Sequence, residues 1–211
     1  MNLRSQLIAT AREMNRSGLN RGTSGNLSVR SGDGMLITPS GMAYEELSPD
    51  DVVYVGPLAE ARPAFDGLRK PSSEWRIHRD VYLARPDASA ILHAHPVYGT
   101  ALACLRRPLP AFHYMVAVAG GRDIRCADYA TFGSQDLSDR VLEALEGRRA
   151  CLMANHGILV TAPDPGRALA LAQEIENLAQ SYLQCLAVGE PVILDDAEMD
   201  RVLEKFKSYG S

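Results

Sequence analysis

Residues 90–96 read Ala-Ile-Leu-His-Ala-His-Pro, and the arrangement expected for the rest of the chain follows from them. The apolar run at 90–92 predicts a short buried strand that leads into two histidines. Side chains two residues apart on a strand point to the same face, so His93 and His95 project side by side. Pro96 ends the strand and places the pair at a sheet edge that solvent can reach. The two imidazoles are therefore either the first ligands of a divalent metal or an ordinary pair of solvated or buried histidines.

Hydrophobic periodicity predicts helices and strands on both sides of this strand. The predicted helices span residues 3 to about 18, 74–85, 97–105, 135–145, 165–188 and 196–207. Ser73 and Ser134 are the expected N-caps of the second and fourth helices, and Pro165 opens the long fifth helix. Further strands are predicted at the end of the segment 20–30 and at 35–37, 52–55, 111–119, 150–153 and 157–161, whereas residues 56–73 are mostly loop. No repeat or shift in composition divides the chain, so residues 1–211 are expected to form a single α/β domain.

The composition is that of an ordinary folded protein. The chain has 211 residues, of which 46% are hydrophobic and 23% are charged, and its formal net charge is −4 at pH 7. This apolar fraction excludes disorder as the main state, and the lack of a basic excess argues against a nucleic-acid partner. A (β/α)8 barrel usually needs about 250 residues. The sequence has no uninterrupted run of about 18 apolar residues, so no membrane span is expected. Arg4 and Arg12 interrupt the N-terminal apolar pattern, so no signal peptide is expected.

Four cysteines lie at positions 104, 126, 151 and 185, and they form no Cys-X-X-Cys motif. Their apolar or mixed surroundings predict buried free thiols. A reducing, cytoplasmic location is the resulting expectation.

A third histidine extends the pair. His156 lies between two strand-like runs in Met-Ala-Asn-His-Gly-Ile-Leu (153–159), and Gly157 allows the backbone to approach closely. Three neutral imidazoles with one open position form a catalytic zinc site. A metal-binding cupin would need a carboxylate about four residues after the second histidine, but Gly99 and Thr100 stand there. An amidohydrolase barrel would need a longer chain.

Glu74 follows Pro-Ser-Ser (71–73) and opens a predicted helix, whose free N–H groups stabilise a carboxylate. A simple first-turn acid is the competing interpretation. The two serine hydroxyls and the free amides at this helix terminus can bind an anion without a lysine. The turns Gly-Thr-Ser-Gly-Asn (22–26) and Ser-Gly (40–41) offer more neutral donors. Together these donors suit a phosphate group in a protein that has no basic excess.

Five stretches, in this order and at these separations, resemble the class II aldolase/adducin family. They are Thr-Ser-Gly-Asn-Leu-Ser-Val-Arg (23–30), Met-Leu-Ile-Thr-Pro-Ser-Gly (35–41), Pro-Ser-Ser-Glu-Trp-Arg-Ile-His (71–78), His-Ala-His-Pro (93–96) and Asn-His-Gly-Ile (155–158). Residues 110–121, 129–133 and 204–210 are similar to the same family. The motifs are specific as a set, and the resemblance covers essentially the whole chain.

The resemblance implies a three-layer α/β/α fold around a central, mainly antiparallel sheet. It also implies a C4 homotetramer with active sites between subunits. By position, the zinc ligands are His93, His95, His156 and Glu74, and Glu74 leaves the metal to work as acid/base. Tyr114 from the neighbouring subunit and Tyr209 of the C-terminal tail match catalytic groups, and Phe132 matches a residue at the aldehyde end. The residues that match the phosphate pocket are Gly25, Asn26, Ser40, Gly41, Ser72 and Ser73.

The activity implied is that of an aldehyde-lyase with a small-molecule sugar phosphate as substrate. A ketose 1-phosphate of the L-fuculose 1-phosphate type would be cleaved reversibly to dihydroxyacetone phosphate and an aldehyde of the L-lactaldehyde type. Zn²⁺, or Co²⁺, Mn²⁺, Fe²⁺ or Ni²⁺ in an imidazole site, would stabilise the charge of the enediolate. Tyr114, or a water that it orients, would accept the C4 hydroxyl proton, and Glu74 would protonate C3.

Other activities of the family remain alternatives. Asn155 stands where the aldolases that cleave L-fuculose 1-phosphate carry a second histidine, and the tail ends one residue after Gly210. The part of the site that meets the aldehyde can therefore differ from that of those enzymes. Two other substrates stay open: 5-deoxyribulose 1-phosphate, which would give acetaldehyde, and 5-methylthioribulose 1-phosphate, which would give 2-methylthioacetaldehyde. A pentulose-5-phosphate 4-epimerase would carry Asp at position 74. A methylthioribulose-1-phosphate dehydratase shares the three-histidine site, and a non-catalytic scaffold like the adducin head domain would lack the ligands.

Two histidines are expected outside the site. His78 lies one turn after Glu74 on the same helix face, and we expect it to be structural or to lie behind the site. His113 would point away from Tyr114, to the opposite face of the strand predicted there.

Overall fold

A computed structural model describes residues 2–207, and an eight-stranded sheet runs through the middle of it. The strands are β1 (Asn26–Ser31), β2 (Gly34–Ile37), β3 (Val53–Gly56), β4 (Ala64–Asp66), β5 (Ala90–Ala94), β6 (Cys126–Ala127), β7 (Ala150–Met153) and β8 (Gly157–Ala162). Their order across the sheet is β4-β3-β2-β1-β5-β8-β7-β6. Only β6 and β7 pair in parallel, and the six other pairs are antiparallel. The predicted mainly antiparallel sheet is confirmed.

Six α-helices flank the sheet in the described residues. They are α1 (Leu3–Arg16), α2 (Trp75–Ala84), α3 (Val97–Cys104), α4 (Gln135–Ala144), α5 (Pro165–Val188) and α6 (Asp196–Phe206). Two of the predicted N-terminal signals work as expected. Ser134 Oγ accepts a hydrogen bond from the backbone of Leu137 and caps α4, and Pro165 occupies the first turn of α5. Between residues 2 and 207, the helices are too short or too polar to cross a membrane.

Alternation along the strands divides the buried side chains into two cores, one on each face of the sheet. On β5, Leu92 packs into the core that α1, α3 and α5 cover. Its neighbour Ile91 packs into the core that α2 and α4 cover. The result is the predicted three-layer α/β/α arrangement. Because His93 is two residues from Ile91, its side chain lies on the α2 face of the sheet.

The strand predicted at residues 111–119 is wrong. The structure has a 3-10 helix at Tyr114–Ala119, where His113 accepts a hydrogen bond from the backbone of Met115 and Gly120 closes the last turn at φ +88°. The run is almost uniformly apolar, so it has no period that separates strand from helix. Only the packing of its inward side chains decides between them.

Two smaller predictions are also wrong. The N-cap of α2 is Glu74 rather than Ser73, so the helix begins one residue later than expected. Cys151 is a buried free thiol as predicted, but Cys104 and Cys185 are exposed and Cys126 is half-buried. The thiols at 104 and 185 lie on helices, where flanking apolar residues do not reveal which face is turned to solvent.

Gly157 is required by the close approach of β8 to β5. A Cβ at this position would collide with the carbonyl oxygen of Ala94 and lie 2.7 Å from Cδ2 of His95. We expect Gly157→Ala to lower the free energy of unfolding by about 1–3 kcal/mol, because the overpacked strand must shift. Denaturant unfolding measures this. The control is Gly189→Ala, where the added methyl group meets no heavy atom within 4 Å. Equal stability of the two variants would contradict the assignment.

Candidate active site

Three histidines converge at one end of the sheet. His93 is the next-to-last residue of β5, His95 directly follows that strand, and His156 immediately precedes β8. Their ligand atoms all lie within 4.8 Å of one another, and Nε2 of His95 is 2.9 Å from Nε2 of His93. Because β5 runs between β1 and β8, the site is at the end of a central strand and not at the sheet edge that the sequence suggested.

The carboxylate of Glu74 completes this cluster from the other side. Glu74 is the N-cap of α2, yet its side chain caps no helix N–H group. Oε2 instead accepts a hydrogen bond of 2.9 Å from Nδ2 of Asn26 and lies 3.2 Å from Nε2 of His93. Oε1 lies 3.2 Å from Nε2 of His156. The side chain is buried, with 7% of the residue exposed, so the helix start holds a desolvated carboxylate against the imidazoles.

The donor set fits a divalent metal ion. Nδ1 of His93 donates to the carbonyl oxygen of Ile158 at 2.8 Å, which turns the lone pair of Nε2 towards the centre of the cluster. Two imidazole nitrogens 2.9 Å apart need a shared proton or a cation between them. Ligands of a tetrahedral zinc ion, with bonds of about 2.0–2.1 Å, lie about 3.3 Å apart, close to these spacings. Oε1 of Glu74 is buried and makes no hydrogen bond within residues 2–207, as a metal-ligand atom would.

The surroundings hold Glu74, His95 and His156 in the protonation states that metal binding needs. Burial alone would raise the pKa of Glu74, but His93, His156 and the Asn26 amide hold it well below its usual range. Burial and the neighbouring His93 lower the pKa values of His95 and His156 to about 4. Burial opposes the charged form of His93 too, but the Glu74 carboxylate outweighs it and raises the pKa of His93. Glu74 is therefore an anion and two of the imidazoles are neutral at neutral pH.

A cavity of about 480 Å³ opens beside the cluster and collects the predicted phosphate residues. Its lining residues are Thr23, Ser24, Gly25, Asn26, Pro39, Ser40, Gly41, Ser72, Ser73, Glu74, His95, Tyr129, Ala130, Phe132, Asn155 and His156. None of these is a lysine or an arginine. A Cβ at Gly25 would lie 2.8 Å from the carbonyl oxygen of His93, so this turn can approach β5 only with glycine. The six residues predicted for a phosphate, together with Phe132, thus face one cavity next to the histidines.

Tyr114, one of the two predicted catalytic tyrosines, does not line this cavity. Tyr114 is half-exposed on the 3-10 helix and lines a different, largely apolar groove together with Phe112, Leu194 and Phe206. Tyr209 lies outside the described residues. His113 is exposed and belongs to neither the cluster nor the cavity. Within the described part of this chain, Glu74 is the carboxylate that the structure places against the histidines.

Sequence reasoning did not name several residues that the structure brings to the site. Tyr129 lines the cavity, and Arg106, which follows the C-cap of α3, contacts two of the lining residues. Nε of Arg106 donates to Oδ1 of Asn155 at 2.8 Å, and its guanidinium group lies 5.9 Å from the Tyr129 ring. Arg106 has a positive φ of 52°, a backbone conformation that sequence patterns do not predict for arginine. Asn155, by contrast, was singled out from the sequence, and it lines the cavity.

Comparison with known proteins identifies the family and agrees with this fold. Residues 5–183 match the sequence model of the family described as "Class II Aldolase and Adducin N-terminal domain". The chain belongs to the class II aldolase and adducin family. Its relatives include an enzyme of Rhodospirillum rubrum named 5-methylthioribulose-1-phosphate/5-deoxyribulose-1-phosphate aldolase, which is 55% identical over 208 residues, 99% of this chain and 92% of that protein.

Two further similarities point to the same kind of enzyme. The L-fuculose phosphate aldolase of Escherichia coli strain K12 is 49% identical over 209 residues, 99% of this chain and 95% of that protein. A solved structure of an L-fuculose 1-phosphate aldolase superposes with a TM-score of 0.92 at 44% identity, covering 97% of this chain and 96% of that one. Family membership, the enzyme class of aldolases and the fold are thereby established.

Buried His78, behind the cavity, makes the stability of the fold depend on pH. Burial lowers the pKa of His78 from 6.5 to about 3. Between these values the unfolded chain binds a proton that the folded protein does not, so stability falls as the pH drops from about 6.5 towards 3. This group contributes a slope of about 1.4 kcal/mol per pH unit. We expect His78→Gln to reduce the slope of the unfolding free energy measured by denaturant unfolding from pH 7 to 4.5. The control His113→Gln removes an exposed imidazole, and a change of slope as large as that of His78→Gln would contradict the prediction.

Proposed function

We propose that the protein is a metal-dependent aldolase that cleaves a ketose 1-phosphate reversibly to dihydroxyacetone phosphate and a short aldehyde. The observation that carries the proposal is the convergence of three imidazoles and the Glu74 carboxylate beside a cavity lined by neutral donors. His93, His95, His156 and Glu74 would hold the metal. Zinc suits this donor set, and Co²⁺, Mn²⁺, Fe²⁺ or Ni²⁺ can occupy imidazole sites as well.

The cavity supports binding of the phosphate group. Asn26, Ser40, Ser72 and Ser73 supply amide and hydroxyl donors, and Gly25 and Gly41 let the backbone turn around them. Donors of this kind bind a phosphate by hydrogen bonds rather than by a lysine or arginine charge. A phosphate held here would fix the register of the sugar, so that its reacting carbons lie towards the histidines.

The chemistry requires a charge stabiliser and a group that moves protons. When bound, a divalent metal supplies the Lewis acidity that stabilises negative charge on the oxygen atoms of an enediolate. Glu74 is the buried base next to it, and its exchange of a proton with C3 of the substrate would complete the cleavage.

The aldehyde end of the substrate needs groups from outside the cavity of one chain. Tyr114 is half-exposed and does not line its own chain's cavity, which supports a role in the site of a neighbouring subunit. We therefore propose a C4 homotetramer in which Tyr114, and Tyr209 from the tail, handle the C4 hydroxyl proton. Phe132 would line the aldehyde end. A single domain over residues 1–211 and a cytoplasmic location complete the proposal.

L-Fuculose 1-phosphate is the first candidate substrate, and the 5-deoxypentulose 1-phosphates are the second. Both share the phosphate handle and the cleaved bond. The second candidate is favoured by Asn155, whose side chain is fixed by Arg106 at the cavity rim, and by the 55% identity to the Rhodospirillum rubrum enzyme. The choice between them rests with the residues around Asn155.

Removal of either the metal or the carboxylate should abolish cleavage. We expect a chelator to stop release of dihydroxyacetone phosphate in a coupled assay, with recovery on adding Zn²⁺. Glu74→Gln should lower kcat by about 10²–10⁴-fold, because the proton-transfer group is lost. The control Glu190→Gln changes an exposed carboxylate and should keep full activity. Full activity of Glu74→Gln, or of the chelated enzyme, would refute the proposed mechanism.

A substrate panel tests the aldehyde end. We expect chelator-sensitive release of dihydroxyacetone phosphate from L-fuculose 1-phosphate. The value of kcat/KM for this substrate is compared with the values for 5-deoxyribulose 1-phosphate and 5-methylthioribulose 1-phosphate. Asn155→His should raise the ratio of kcat/KM for L-fuculose 1-phosphate to kcat/KM for the 5-deoxypentulose 1-phosphates by about tenfold. The reason is that an imidazole replaces an amide beside the aldehyde end, where these substrates differ. An unchanged ratio would show that position 155 does not set specificity. An epimer or a dehydrated diketone as product would exclude aldol cleavage.

A further inference from the structure

A chain of side-chain hydrogen bonds runs from the metal cluster into the layer between α2 and the sheet. Nδ2 of Asn26 donates to Oε2 of Glu74, and Oδ1 of the same amide lies 2.5 Å from Nε2 of His78. Nδ1 of His78 lies 2.6 Å from Oγ of Ser28, which lies 2.9 Å from the hydroxyl of Tyr82. We call these four residues, Asn26, His78, Ser28 and Tyr82, the amide relay.

The relay follows from two sequence periods. Asn26 and Ser28 are two residues apart on β1 and therefore lie on the same face of the sheet. His78 and Tyr82 are four residues apart on α2 and therefore lie on the same face of the helix. All four side chains are buried, and His78 and Ser28 have no exposed surface. Water cannot replace any link, so each hydrogen bond needs its protein partner.

The direction of every link is set by the one before it. An ionised carboxylate only accepts hydrogen bonds, so the group that Asn26 turns to Glu74 is its NH₂. The carbonyl oxygen of Asn26 then faces His78 and requires a proton on Nε2. In a neutral imidazole Nδ1 is then an acceptor, so the Ser28 hydroxyl must donate to it. The oxygen of Ser28 is left to accept from Tyr82.

We propose that His78 is a positioning residue of the active site. The carbonyl oxygen of Asn26 requires the Nε2–H tautomer of His78 and Ser28 binds its Nδ1, so the anchored ring in turn fixes the orientation of the Asn26 amide, with the NH₂ group towards Glu74 and the cavity. A rotated amide would place its carbonyl oxygen against the Glu74 carboxylate and remove a donor from the phosphate pocket. The catalytic consequence rests on the proposed aldolase function, whereas the tautomer and the amide orientation do not.

The tautomer is tested by NMR on the Zn²⁺-loaded, ¹⁵N-histidine-labelled protein. The His78 signals are assigned by their absence in His78→Gln. We expect the neutral Nε2–H tautomer at pH 7 in the wild type and in Ser28→Ala, because the carbonyl oxygen of Asn26 needs the proton on Nε2 in both proteins. A protonated ring or an Nδ1–H tautomer in either protein would overturn the proposal. Activity plays no part in this test.

The positioning role is tested by comparing two replacements of His78. Glutamine can donate to Asn26 and accept from Ser28, whereas methionine can do neither. His78→Met should lose about ten- to a hundredfold in kcat/KM, with kcat lowered and KM raised, as is usual for residues that orient a metal-site ligand. His78→Gln should recover most of this loss. The control Ile77→Val trims a buried side chain next to His78 and should leave kcat/KM within about twofold.

The other outcomes of the kinetic comparison also decide whether His78 is a positioning residue. Equal losses in folded His78→Met and His78→Gln, or no loss in His78→Met, would overturn the positioning role. If His78→Met fails to fold, Ser28→Ala replaces it in the kinetic test, with an expected loss of several-fold in kcat/KM. If the wild-type protein releases no dihydroxyacetone phosphate, the proposed function fails, and the NMR result alone decides whether the relay exists.

Discussion

The buried carboxylate of Glu74 is the group on which the arrangement of the site depends. A desolvated carboxylate without partners costs far more free energy than one hydrogen bond returns. Here it lies 3.2 Å from an imidazole nitrogen on each side and accepts a hydrogen bond from Asn26. The same contacts present the carboxylate and imidazoles as a ready ligand set for a cation, so the interaction that makes this charge tolerable in the interior also builds the reactive centre.

The topology of the sheet brings these partners together from distant parts of the chain. β1, β5 and β8 are neighbours with alternating directions, so the start of β1, the end of β5 and the start of β8 meet at one end of the sheet. Asn26 pairs directly with His93 across β1 and β5. Helix α2 lies on the face to which these side chains point, and its first turn delivers Glu74. Two close backbone approaches, at Gly25 and Gly157, allow the segments to come this near.

The lining of the cavity combines two kinds of residue. The segments 23–26, 40–41 and 72–73 bring mainly neutral hydrogen-bond donors, whereas Tyr129 and Phe132 bring aromatic rings and Asn155 brings an amide. Arg106 lies outside this lining but donates a hydrogen bond to Asn155. The chain is similar both to an enzyme named for 5-methylthioribulose 1-phosphate and 5-deoxyribulose 1-phosphate and to one named for L-fuculose phosphate.

Local patterns in the sequence were enough to predict most helices and strands, because caps such as Ser134 and periodic apolar side chains act over a few residues. They also made the three histidines and Glu74 candidates, and the resemblance to the class II aldolase/adducin family favoured a metal site over a pair of ordinary histidines and a first-turn acid. Only the tertiary structure decided that residues 114–119 are helical, that Glu74 rather than Ser73 caps α2, and that Ser28 and Tyr82 stand behind Asn26. Hydrogen bonds between residues about fifty positions apart depend on how strands and helices pack, and the local chain carries no signal of that packing.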